Sequence, residues 1–319
     1  MTMTLLLSDI RAAAVRIQPF IHRTPVLTSA TLDAAAGAAL FFKCENFQKI
    51  GAFKARGATN AVFSLTEEEF ARGVTTHSSG NHAAALARAA RLRGIPAYIV
   101  MPNNAPAAKV ASVQRQRAEL VRCEPTLAAR EAAAAAVVAR TGVTLIHPYN
   151  DLRVIAGQGT ATLELLEDVP DLDLVLTPVG GGGILSGAAV AAKGLRPSIR
   201  VIGVEPALAD DAARSFRAGS LAPMSPSSGE TIADGLRTHV GERPFALIQS
   251  FVDDIVTVSE AGIIDAMRAI WEIMKIVVEP SAAVPLAGIR EGAIDVKDKR
   301  VGIVLTGGNL DLEDLPWQK

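Results

Sequence analysis

The chain has 319 residues, 49% of them hydrophobic and 20% charged, which is enough apolar material for one large core or two modest ones and excludes disorder as the main theme. Lys and Arg number 32 against 33 Asp and Glu, so the formal net charge is -1 with no long run of either sign, and no basic face exists to neutralise nucleic-acid phosphates. The longest apolar runs, such as Ala132–Ala139, fall far short of the roughly 20 residues that cross a bilayer, Met1–Asp9 lacks a basic segment before its leucines, and the two cysteines, Cys44 and Cys123, suit a reducing cytoplasm without zinc.

In chain order, the pattern predicts a strand at Ala39–Glu45, a helix at Phe53–Leu65, a strand at Val74–Ser78 and a helix at Asn81–Leu92. Strands at Ala97–Met101 and Glu119–Cys123 follow, then a helix at Thr126–Arg140, a strand at Thr144–His147 and a helix at Val154–Asp168. The second half reads as strand Leu174–Pro178, helix Ile184–Lys193, strands Arg200–Glu205 and Asp254–Val258, helices Glu260–Met274 and Ser281–Gly292, and strand Arg300–Thr306. Most strands are rich in Val, Ile and Leu without strict alternation, as expected of strands covered on both faces. The alternation makes the fold class α/β, with crossover units feeding a largely parallel sheet. The length favours two lobes: a small mobile one at residues 70–149, and a large, discontinuous one made of residues 1–69 and 150–319. The Pro/Ser stretch Ala222–Gly229 reads as a surface loop.

Three Gly- or Ser-rich turns follow predicted strands: Thr76–His82, Pro178–Gly183 and Thr306–Asn309. Ligands of open α/β sheets sit at the carboxyl ends of strands, so all three turns stand where a ligand would. The run Gly180, Gly181, Gly182, Gly183 opens a helix with bare N–H groups, an arrangement that cradles an anion such as phosphate. It has neither the GxGxxG spacing of a dinucleotide site, which excludes a nicotinamide dehydrogenase, nor the Lys-Ser/Thr of a P-loop. Lys54 lies at the mouth of a helix between Phe53 and small residues. A partly desolvated lysine becomes a usable nucleophile or base, and beside a phosphate cradle it points to pyridoxal 5'-phosphate held as a Schiff base.

Ten ordered motifs resemble the fold-type II pyridoxal-phosphate enzymes of the serine/threonine dehydratase and serine racemase group, a tryptophan synthase β-like architecture. They are His22–Leu27, Phe42–Glu45, Gly51–Ala58, Ser78–His82, Ile155–Thr160, Gly180–Gly183, Gly203–Pro206, Thr231–Gly235, Glu279–Ser281 and Thr306–Leu312. The resemblance implies that Lys54 carries the cofactor, that Gly180–Gly183 hold its phosphate, and that Phe53 packs on its ring. Asn81 would bond the ring hydroxyl, Thr306 would face the pyridine nitrogen, and Glu279 joins this cofactor-binding set. Ser78, Ser79, Gly80, Asn81 and His82 would bind the substrate carboxylate, with Ser79 the candidate acid or base on the face opposite Lys54. Arg130 would reach the cleft when the lobes close and bind a second carboxylate.

Glu205, the Ala209 carbonyl and Asp211 keep the spacing of the group's activating site for Mg²⁺, Mn²⁺ or Ca²⁺. A homodimer is implied as well. Ala83–Ala85, where relatives commonly carry a central glutamine, argues against nucleotide activation, and the end of the chain soon after Leu312 argues against a regulatory domain. His147 and Asn150 are weaker pocket candidates, and His22 and His239 read as structural. The expected activity is dehydration of a β-hydroxy α-amino acid of the L-threonine or L-serine type to a 2-oxo acid and ammonia. Dehydration of 3-hydroxyaspartate or phenylserine, serine racemisation, and a catalytically inactive ligand-binding homologue are the alternatives.

Overall fold

The computed structural model describes residues 5–78, 80–105, 107–313 and 315–318. Its strands, in chain order, are β1 (Val26–Leu27), β2 (Ala39–Cys44), β3 (Val74–His77), β4 (Ala97–Pro102), β5 (Glu119–Cys123), β6 (Thr144–Leu145), β7 (Leu174–Pro178), β8 (Arg200–Pro206), β9 (Asp254–Val258) and β10 (Arg300–Leu305). They form two sheets. One has the order β1-β2-β10-β7-β8-β9 and is parallel except for the antiparallel β1. The other has the order β5-β4-β3-β6 and is parallel throughout. The α/β class and the parallel sheets read from the sequence are those of the structure.

The central strands are apolar on both faces because helices cover both sides of the larger sheet. Leu176, Ile202, Ile303 and Leu305 pack into one core, while Val175, Val201, Leu185 and Ala189 pack into another. A third core belongs to the smaller sheet and contains Ile99 and Met101 of β4, and it also takes in Ala58 and Val62 of the helix Lys54–Phe63. The helix carrying Lys54 is thereby wedged between the sheets, with its N-terminus at the carboxyl end of β10, where Phe53 N–H donates to the Thr306 carbonyl at 3.0 Å.

Helix ends follow local chemistry. Thr126 caps the helix Leu127–Thr141 by accepting from Ala129 N–H, and the helix stops at Gly142 in the left-handed region, φ 72°. Asp151 caps the helix Leu152–Asp168 through Arg153 N–H. Two expectations are corrected. The strand expected over Thr144–His147 ends at Leu145, since His147 turns to accept the N–H groups of Tyr149 and Asn150. The single helix expected over Glu260–Met274 is α-helical only to Ala269 and continues as a wider π turn, Ile270–Met274, closed by Lys275 at φ 60°.

Candidate active site

The carboxyl ends of β3, β7 and β10 open onto one cavity of about 300 Å³. Phe53, Lys54, Ser78, Gly80, Asn81, His82, Arg130, Gly180, Gly181, Gly182, Gly183, Glu279 and Thr306 line it, so segments far apart in the chain converge on one space. Ser79 lies outside the described residues.

Lys54 Nζ donates to the Pro148 carbonyl at 2.8 Å and stands 5.0 Å from the Phe53 ring centroid. Burial lowers its pKa to about 8, which leaves a substantial neutral amine near physiological pH. On the same cavity, the glycine turn runs into the N-terminus of the helix Gly183–Leu195. Among the described residues no protein acceptor meets the N–H groups of Gly180, Gly181, Gly182 or Gly183. Buried N–H groups left without partners at a helix N-terminus are what an anion satisfies. Gly182 needs its φ of 85°, and a Cβ on Gly181 would stand 2.3 Å from the Tyr149 ring, so the turn admits only glycine for two separate reasons.

Asn81 begins the helix Asn81–Arg93 and is held at both ends of its amide: Nδ2 donates to Glu279 Oε1 at 2.9 Å and Oδ1 accepts from Asn309 Nδ2 at 2.9 Å. Burial, and then the nearby Asp234 carboxylate, push the Glu279 carboxyl up to about 8, so at neutral pH it is mostly a neutral acid in that network. Ser78 Oγ accepts the Gly80 N–H at 3.3 Å. His82 is buried with Nε2 facing the Ile146 carbonyl at 3.3 Å, and burial holds its pKa well below the ordinary value, so it stays uncharged. Arg130 enters the cavity from the helix Leu127–Thr141. Its Nε is buried without a partner, and it forms no ion pair among the described residues.

Two residues that the sequence reading missed also line the wall. His239, read as structural, faces the cavity with its ring edge-on to Tyr149 at 6.4 Å between centroids. Tyr149 stacks edge-on with His147 at 4.5 Å, and burial raises its phenol to about 12. His147 and Asn150 act as turn residues, Asn150 Oδ1 accepting from Arg243 N–H at 3.0 Å. The only sequence signal for His239 is its place a few residues after the Thr231–Gly235 motif.

These features fit pyridoxal phosphate: a buried amine, a ring-sized wall at Phe53, and unpaired N–H groups for a phosphate. The family described as pyridoxal-phosphate dependent enzyme matches residues 17–307. The chain belongs to that family. It is 51% identical to a β-hydroxyaspartate dehydratase of Paracoccus denitrificans (strain Pd 1222), over 97% of this chain and 98% of that one. A serine racemase of Arabidopsis thaliana is 51% identical over 96% of this chain and 94% of the other. The structure of maize serine racemase superimposes with a TM-score of 0.95 at 47% identity, covering 99% of this chain and 97% of that one. The chain is thus an enzyme of fold type II, in the hydroxy-amino-acid ammonia-lyase and racemase group.

The expected cation ligands form a second, smaller cluster. Glu205 and Asp211 are each 1% exposed and form no ion pair with a basic side chain among the described residues. Glu205 accepts the Ala212 and Ala213 N–H groups at 3.2 and 2.9 Å, and Asp211 Oδ2 accepts from Val240 N–H at 2.9 Å. Burial raises both carboxyls, Glu205 the further, and the Asp211 charge adds to the rise at Glu205. Two buried, like-charged carboxylates fit a hard divalent cation, which would remove their repulsion. Among the described residues no group of three His, Cys, Asp or Glu converges, so the Ala209 carbonyl and water would complete such a set. No helix of the described residues is long and apolar enough to cross a membrane.

Proposed function

We propose that the chain dehydrates a β-hydroxy α-amino dicarboxylate of the 3-hydroxyaspartate type to a 2-oxo dicarboxylate and ammonia. The observation that carries this reading is Arg130: a guanidinium in the cavity wall with a buried, unpaired Nε and, among the described residues, no carboxylate in an ion pair with it. A serine or threonine side chain would leave that charge unpaired, whereas a second carboxylate would take it in a charge-assisted pair. The similarity to a β-hydroxyaspartate dehydratase supports the same choice over the L-serine or L-threonine default.

Pyridoxal phosphate, when bound, supplies the electron sink for charge left at the substrate α-carbon. Gly180–Gly183 would hold its phosphate, Phe53 its ring, and Asn81, Glu279 and Thr306 its edge. Lys54 Nζ, whose pKa burial lowers to about 8 and which therefore has a neutral fraction near physiological pH, takes the α-proton on its face of the substrate. The N–H groups of Asn81 and His82, at a helix N-terminus, orient the α-carboxylate, and Ser78 Oγ, accepting the Gly80 N–H, steadies the turn. Arg130 fixes the far end of the substrate, so that the β-hydroxyl leaves from one geometry. In this reading residues 70–149 move as the small lobe, Glu205, Ala209 and Asp211 hold Mg²⁺, Mn²⁺ or Ca²⁺, and two copies form a homodimer.

The test is a substrate panel with and without chelator, scoring 2-oxo acid, ammonia and product chirality for 3-hydroxyaspartate, serine, threonine and phenylserine. The dicarboxylate is expected to have the highest kcat/KM. Arg130→Gln should lower that value by roughly 100-fold or more, and lower the value for serine far less. Serine or threonine turning over faster than 3-hydroxyaspartate, or racemised serine as the main product, overturns the reading.

A further inference from the structure

The wall that carries Arg130 also holds a histidine with no assigned task. His77, the last residue of β3, is 6% exposed and lines the cavity, and among the described residues neither ring nitrogen meets a hydrogen-bond partner. Its ring stands edge-on to His147, 5.4 Å between centroids. The charged and titratable groups around it are Arg130 and Glu131 from the helix Leu127–Thr141, His147 from the turn after β6, and His82 from the helix Asn81–Arg93. Two of these cannot take a proton in its place. His147 Nδ1 already accepts two N–H groups and its pKa is driven down to about 3, and His82 is buried against the Ile146 carbonyl. Among the described residues His77 has no hydrogen-bond partner at either ring nitrogen, and Arg130, on the same cavity wall, has none at its Nε.

We propose that His77 is the second half of a distal-carboxylate site, an uncharged imidazole that takes up one proton from solvent as a second substrate carboxylate docks between it and Arg130. The inference rests on the dicarboxylate reading above. With no carboxylate against it, His77 has its pKa lowered by burial and then by Arg130, outweighing Glu131, so it is neutral near pH 7. A carboxylate brought against it neutralises the Arg130 repulsion and rewards the imidazolium, which raises the pKa in the complex. The only bond made is N–H, and the proton returns to solvent on release. Between the free and the bound pKa, affinity for a dicarboxylate then strengthens by up to about tenfold per pH unit as pH falls, and affinity for a monocarboxylate does not.

The experiment titrates the holoenzyme with succinate and with butyrate by calorimetry. Both lack an amine, so neither reacts at Lys54, and buffers of different ionisation enthalpy count protons directly. Succinate is expected to bind more tightly than butyrate with net proton uptake, and to tighten from pH 8 to pH 6. His77→Asn and His77→Gln, checked for folding by thermal melting, should abolish both the uptake and the pH dependence. A succinate affinity that is flat with pH in the unaltered enzyme, or proton uptake that survives in the His77 variants while Arg130→Gln abolishes binding, overturns the role of His77 and leaves the dicarboxylate reading standing. Succinate binding no more tightly than butyrate overturns the dicarboxylate reading itself.

Discussion

Gly181 and Glu279 show how single positions carry the site. A Cβ at Gly181 meets the Tyr149 ring, which stands edge-on to His147 and His239 and would have to shift to admit it. Gly181→Ala is expected to cost about 1–3 kcal/mol of stability by overpacking, and to weaken pyridoxal-phosphate binding, read by denaturant melts and by cofactor titration; a variant with both unchanged would remove Tyr149 as the reason for this glycine. Glu279 is an acid with a raised folded-state pKa of about 8. Its contribution to stability is therefore fully present below the pKa of the unfolded glutamate and is lost as pH rises toward 8. Glu279→Gln should flatten the thermal stability profile between about pH 4.5 and pH 8, as followed by melting temperature against pH. A profile as steep as that of the unaltered chain would show that another group titrates there.

Elements differ in how openly the sequence announces them. Strands β5, β7 and β9 have the expected bounds, because each is a short Leu-, Val- or Ile-rich run, as Leu174–Pro178 is, bounded by turn residues. Helices Leu7–Ile17, Asp211–Ala218 and Glu242–Phe251 escaped the periodicity reading, since each presents only a narrow buried face or carries a proline in its first turns. The helix Ala107–Gln114 was missed too, and it holds a bridge between the parts of the molecule: Lys109 pairs with Asp234, and both line the cavity. Partly exposed pairs are worth about 0–1 kcal/mol, so Asp234→Asn is expected to raise KM by up to about fivefold with little change in kcat. Steady-state kinetics at two ionic strengths measures this, and an unchanged KM would mean that the pair does not hold the two parts together over the substrate.

At the scale of the whole molecule, a buried ion network fastens the helix carrying Lys54 to the larger sheet. Arg56 bonds Glu45 at 2.7 Å and Glu164 at 2.7 Å, and Lys43 of β2 bonds Glu164 at 2.6 Å and the Thr24 carbonyl at 2.8 Å. Two cations and two carboxylates balance with nearly every donor satisfied, which is the condition for keeping charge in a core. Removing one member leaves Glu45 buried without a counter-ion, so Arg56→Met should destabilise the fold by about 3–5 kcal/mol. Urea unfolding would measure the loss, and a variant as stable as the parent would show the network to be replaceable by apolar packing. These four residues come from three segments, and composition alone gave no reason to pair them.

Local chemistry was legible in the chain because its parts are contiguous. Four adjacent glycines at a strand end, a lysine flanked by small residues and an apolar ring, and an alternation of strands and helices each state their purpose within a few residues, so the α/β class and the cofactor could be read without coordinates. The rest of the cavity wall could not: Tyr149 was not read as part of it and His239 was read as structural. They join His77 and Arg130 on one cavity only because the fold brings the ends of distant strands together, and a side chain's exposure, partner and proton affinity are set by neighbours across that gap. Long-range packing decided which histidine faces the cavity and which merely closes a turn.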